Sequence, residues 1–266
     1  MNRRSNRRTK KRSNKKKYDL YNGKKWDSYR LGDIIMGHFI CFNKVCLNKN
    51  IKKINVKKLC DNLEFFDRSN TNPENVSWCK KNIDTWSDKS FPGESYLDII
   101  PKKFPNSIGD KYIKSVGYPN TYKTIDFKTI KKIFKSLNYD KPDKDSLVIH
   151  LRLGDVLSKK YRSEYVYNLD YYNDLLNKIV KNKNIKNVDI VTGLHKNVYV
   201  EASNNRLHSV INIFKKHYPV KVIVTKNPDK DFYYMCHSKY FVSAGGGFSK
   251  LVTQFLKYNK TSKIYY

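Results

Sequence analysis

From Ser146 to Tyr258 the chain alternates short apolar runs with longer stretches whose apolar residues recur every three or four positions. No other feature constrains the fold as tightly. A strand–helix–strand repeat closes compactly as a parallel sheet with helices on both faces. Residues 146–152, Ser-Leu-Val-Ile-His-Leu-Arg, read as a buried strand. Tyr172, Leu175, Leu176 and Ile179 then line one face of a helix over 171–180. A strand over 188–193 follows, ending in Gly193. Leu207, Val210, Ile211 and Phe214 mark a second helix, and residues 220–224 a third strand. A short helix over 231–237, a strand over 240–243 and a helix over 248–258 complete the pattern. Leu251, Val252, Phe255 and Leu256 share one face of that last helix.

Two strand ends carry chemistry. The first strand runs into His150, Arg152, Gly154 and Asp155. Ligands of open α/β sheets bind at the carboxyl ends of strands. Arg152 offers a rigid fork of donors suited to phosphate. Gly154 permits a tight turn, and Asp155 can orient Arg152 or start a helix. The plainer alternative is a turn glycine beside a surface ion pair. The second strand end is Ala244-Gly245-Gly246-Gly247-Phe248-Ser249-Lys250. Its glycines allow close backbone approach, and the N–H groups of the following helix favour an anion. The spacing is not that of a P-loop, and a flexible helix cap is the alternative here.

In order and spacing, these segments resemble a known family. His150-Leu151-Arg152-Leu153-Gly154-Asp155 is similar to the H-x-R-x-G-D motif of the α1,2-, α1,6- and protein O-fucosyltransferase superfamily. Asp231 to Cys236, then Phe241-Val242-Ser243, then Gly247-Phe248-Ser249, resemble that superfamily's C-terminal motif. Asp170-Tyr171-Tyr172 stands where those enzymes often carry an aromatic pair. The resemblance covers roughly residues 146–256. It departs at Leu153, where relatives have arginine or threonine, and at Thr192-Gly193-Leu194-His195, where they often have acidic residues.

The resemblance implies a GT-B-like α/β architecture: two α/β halves, the C-terminal one a parallel, Rossmann-type sheet. Residues 18–144 would then be an acceptor-side α/β domain and residues 145–266 the nucleotide-sugar domain. It also implies an inverting glycosyltransferase that moves fucose, or a related sugar, from a GDP-sugar to a hydroxyl of a glycan or protein. Arg152 would hold the β-phosphate beside the Gly154 turn, with His150 and Asp231 near the guanine or ribose. Gly246, Gly247, Phe248 and Ser249 would close on the diphosphate. Physics supports the arginine independently. A leaving diphosphate gains negative charge, so a fixed guanidinium stabilises the transition state more than the ground state.

An acceptor hydroxyl must lose a proton as it attacks, and a nearby carboxylate can take it. Glu164, in a tyrosine-rich loop, and Asp155 are the candidates. For Glu164 the alternative is a solvated loop charge beside Arg162. No metal or other cofactor is expected. Asp229-Lys230-Asp231 and Asp143-Lys144-Asp145 mimic a metal-binding D-x-D, but a lysine-rich sequence generates that pattern readily. Histidines 38, 150, 195, 208, 217 and 237 show no ligand spacing.

The first 145 residues are harder to read. Residues 1–17 hold ten lysines and arginines with no apolar residue after Met1. Such an arm is expected to be disordered, with nucleic acid, an anionic membrane surface or nothing specific as its partner. Of the formal charge of +30 it carries a third, so the remainder is basic too. Ile34, Ile35, Phe39, Phe42 and Val45 suggest a helix after Arg30-Leu31-Gly32-Asp33, a tetrapeptide repeated at 152–155. Ile54 and Val56, then Phe65 and Phe66, hint at strands. Residues 67–123 read as loop-rich, and residues 125–137 as an amphipathic helix. Cysteines 41, 46, 60, 79 and 236 form an odd set without metal spacing. With no long apolar run or secretory leader, a cytoplasmic protein with reduced thiols is expected. The competing class is a basic α/β nucleic-acid-binding protein, for which 21 tyrosines and the positive charge are suited. A transferase-like fold without activity is a third reading.

Overall fold

The computed structural model describes residues 18–20, 31–36, 104–116, 125–158, 166–194 and 198–266. Its centre is a five-stranded, all-parallel sheet: β1 (Ser146–Arg152), β2 (Asn187–Gly193), β3 (Val220–Ile223), β4 (Tyr240–Val242) and β5 (Lys263–Tyr265). The strands lie in the order β3-β2-β1-β4-β5. The chain moves outward from β1 to β3, returns to the other side of β1 at β4, and moves outward again. β1 and β4 therefore flank the point where the winding reverses, which is where open α/β sheets leave a crevice.

Helices cover both faces. Leu147, Ile149 and Leu151 face one layer, α4 (Leu169–Val180) and α5 (Val200–Phe214), meeting Tyr172, Leu175, Leu207 and Phe214. Val148 and Phe241 face the other, which contains α6 (Pro228–Cys236) and α7 (Gly247–Asn259). Burial of each such side chain contributes about 1.5–3 kcal/mol. β1, apolar toward both layers, therefore sits at the centre of the fold.

The described residues before β1 are helical and complete the second layer. α1 (Leu31–Met36), α2 (Ile108–Val116) and α3 (Phe127–Lys135) bring Leu31, Ile108, Ile130 and Phe134 onto the core built by Phe232, Phe241, Leu251 and Phe255. Phe134 meets Phe232, Tyr233 and Phe255 at ring separations of 5.5, 5.0 and 5.1 Å. α3 begins where Asp126 accepts from the Thr129 N–H at 3.1 Å, a side-chain cap on an orphan donor.

α2 is a helix within the stretch 67–123 that reads as loop-rich. Ser107 Oγ accepts from the Asp110 N–H at 3.1 Å, and Asp110 accepts from the Asn106 N–H at 2.8 Å. Two side chains thus satisfy backbone donors at the start of the helix. A third cap comes from afar: Asp229 accepts from the Ile108 N–H at 2.8 Å. β5 is also an addition, and α5 starts at Val200, well before the apolar positions that mark it. The strands expected near Ile54 and Phe65, the arm 1–17 and four of the five cysteines lie outside the described residues. Cys236 is buried, and burial pushes its thiol well above the ordinary value. No helix among the described residues is long and apolar enough to cross a membrane.

Candidate functional site at the sheet reversal

Alternation along β1 decides which side chains reach the crevice. His150 and Arg152 share the parity of Val148, so they point toward the layer of α6 and α7. The His150 ring meets Phe248, in the first turn of α7, edge-on at a centroid separation of 5.6 Å. Ile149 is paired with Val242, so the last residues of β1 run beside the turn that leaves β4. Two segments separated by some ninety residues of sequence thus end together.

The β1 turn presents side chains. Gly154 stands at φ 82°, a left-handed conformation in which a Cβ is strained. Its N–H donates to Ser203 Oγ on α5 at 3.1 Å, and Ser203 is fully buried. A short 3₁₀ turn, Gly154–Leu157, follows. Arg152 and Asp155 are both about one-third exposed and approach to 4.0 Å. At that distance and exposure the pair gains little.

The β4 turn presents backbone. Gly246, at φ 95°, precedes α7 and makes no side-chain cap. The hydroxyl of Ser249 points inward: it accepts from the Ala244 N–H at 2.8 Å and bonds Ser243 Oγ at 3.0 Å. Thr253 donates to the same Ser243 hydroxyl at 3.2 Å. Ser249 is fully buried, so it holds the turn's shape from beneath. Lys250, in the same first turn, is exposed. On the other side α1 rests directly on the turn. A Cβ at Gly32 would lie 2.8 Å from Phe248 N and 2.9 Å from Gly247 C and Phe248 Cα. Gly32 is therefore a close-packing position against the turn. The repeated Arg-Leu-Gly-Asp tetrapeptide was its signal.

Two titratable groups singled out by the sequence shift in opposite senses. The His150 ring is held down to about 3, mainly by burial and secondarily by the Arg152 charge. It is neutral at physiological pH, and its buried Nδ1 has no partner among the described residues. Asp231, in the first turn of α6, is pushed up to about 7 by burial, against the pull of the Thr225 hydroxyl, which donates to its Oδ1 at 2.7 Å. A carboxyl poised there can hold or release a proton near neutrality.

Other sequence candidates have different occupations. Asp229 is committed to the start of α2. Tyr171 stacks on Tyr167 at 4.2 Å, and Tyr172 is buried against Phe214 under Arg206. That aromatic pair therefore packs α4 rather than reaching the crevice. Glu164 and His195 lie outside the described residues. Among the described residues, no three His, Cys, Asp or Glu side chains cluster as a metal site.

Residues 18–20 border the same edge of the sheet. The Leu194 N–H, just past β2, donates to the Leu20 carbonyl at 2.6 Å, and the Tyr18 N–H donates to Asn204 Oδ1 at 3.1 Å. Lys226, in the loop after β3, pairs with Asp19. Compared with known proteins, the sequence matches no protein-family model and no curated protein.

Proposed function

We propose that this chain is a glycosyltransferase that transfers fucose, or a related sugar, from a GDP-sugar to an acceptor hydroxyl with inversion. The observation that carries the reading is the convergence of the Arg152 strand end with the glycine turn of α7 on the reversal point of the sheet. A guanidinium on one wall and helix N–H groups on the other form a complement to a diphosphate.

In this reading Arg152 neutralises the β-phosphate as the anomeric C–O bond breaks. The backbone of Gly246, Gly247 and Phe248 shares the developing charge, while Ser249 keeps the turn in shape. His150 and Asp231 contact the nucleoside. The acceptor oxygen forms its bond to the anomeric carbon and loses its proton to Glu164 or Asp155, and GDP departs. The GT-B reading assigns acceptor recognition to residues 18–144, and no cofactor is required beyond the donor itself.

A thermal-shift panel tests the class. Ligands that bind only the native state raise its stability, by about 2.7 kcal/mol at a hundred times Kd. GDP and GDP-fucose are expected to raise the melting point, and UDP-sugars to do so less. Stabilisation by single-stranded RNA alone would replace the transferase with the nucleic-acid-binding reading.

A further inference from the structure

The loop after β2 turns an aromatic side chain outward at the same edge of the sheet. Tyr199 is 51% exposed and its neighbour Val198 37%. They are two of five large apolar side chains that the described residues leave exposed. Tyr199 precedes α5 at φ 53° and ψ 36° and makes no side-chain cap. A bulky residue adopts that left-handed conformation rarely and at an energetic cost. Neither packing nor capping accounts for placing a tyrosine there.

Its position relative to the candidate phosphate site is fixed by hydrogen bonds. The Tyr199 carbonyl accepts from the Ser203 N–H at 2.8 Å, and Ser203 Oγ accepts from the Gly154 N–H at 3.1 Å. Gly154 is two residues beyond Arg152. β2 lies next to β1 on the side away from β4. A nucleotide whose phosphates sit between β1 and β4 can therefore extend its nucleoside along the carboxyl edge toward β2.

We infer that Tyr199, backed by Val198, is a stacking platform for the nucleobase of the ligand whose phosphates meet Arg152 and the glycine turn. The inference rests on the donor-site reading above. Stacking reads the face of the base and leaves its edge to other groups such as Asp231. Every base has such a face, so the platform adds affinity for nucleotides as a class.

The test uses the full chain and two probes, inorganic pyrophosphate and GDP, titrated against wild type, Tyr199→Phe and Tyr199→Gly. Tyr199→Gly is expected to weaken GDP about tenfold, as for loss of one base–aromatic stack, and to leave pyrophosphate unchanged. Its melting point should rise, because glycine relieves the left-handed backbone. Tyr199→Phe should bind GDP like wild type. Unchanged GDP affinity in Tyr199→Gly, or an equal loss for both probes, overturns the platform. Wild-type protein that binds pyrophosphate but gains nothing from the guanosine overturns it as well. Failure of the wild type to bind pyrophosphate at all removes the donor-site reading, and the platform with it.

Discussion

Gly154 and Gly246 both follow a parallel strand at left-handed φ, 82° and 95°, yet their turns are held by opposite means. After β1 the backbone is tied down, with the Gly154 N–H given to Ser203, and the charge comes from the Arg152 side chain. After β4 the side chains are tied down. Ser243, Ser249 and Thr253 bond one another beneath the turn, while the backbone at the start of α7 lies against Gly32 of α1. One wall can thus be altered by changing a single side chain. The other changes only when its geometry does.

The largest expected effect breaks the first wall alone. Arg152→Ala should lower turnover by about 100- to 1000-fold and weaken pyrophosphate binding by less. Its fold should survive, because the side chain is about one-third exposed. Full activity in that variant would end the role assigned to Arg152.

Gly32→Ala attacks the second wall. The added carbon would meet backbone atoms at 2.8–2.9 Å, which cannot rotate away. Overpacking of this kind costs about 1–3 kcal/mol, visible in denaturant melts. It should be accompanied by weaker pyrophosphate binding with Arg152 intact. A stable variant with unchanged affinity would show that the turn tolerates displacement.

Ser249→Ala sharpens the comparison from within. It leaves the buried Ala244 N–H without the acceptor that it has in the native turn, at a cost of about 1–2 kcal/mol. If Ser249 instead contacted phosphate directly, affinity would fall while stability held.

The smallest effect in the wild-type protein concerns pH, because two groups oppose each other. Asp231 is raised from 3.8 to about 7. The native state keeps a proton that the unfolded chain has lost, so this group's contribution falls as pH rises from about 4 to 7. His150 is lowered from 6.5 to about 3. Its contribution is complete above 6.5 and falls as pH drops toward 3. Between pH 4 and 6.5 the two slopes oppose. Asp231→Asn should leave a chain that loses stability on acidification. His150→Asn should leave one that gains it. Parallel profiles in the two variants would reject both assignments.

Much of the sheet was legible because its strands are continuous apolar runs bounded by charge, as in residues 146–152. The faces were not. Nothing in Leu147-Val148-Ile149 distinguishes the side that meets α5 from the side that meets α7 when both are apolar. α2 escaped notice because its fully buried apolar residues are only Ile108 and Tyr112, with Gly109 and Asp110 buried between them. β5 escaped because a three-residue strand has too short a period to register. At the site, residue types were readable but hydroxyl directions were not, so Ser249 read as a ligand contact. Asp229 and Asp231 stand two residues apart, and only Asp231 reads as a ligand contact. One caps a helix begun 121 residues earlier in the chain, and the other is a titrating carboxyl beside Thr225.

The bond from Asp229 to the start of α2, with the helices that pack around it, has a practical consequence. A fragment beginning at residue 145 would retain all five strands but lose the helices that pack on α6 and α7, leaving Phe232 and Phe255 against water. Such a fragment is expected to aggregate when expressed alone and to be rescued by supplying residues 1–144 in trans. The boundary suggested by the change in sequence character is therefore a poor place to sever this molecule.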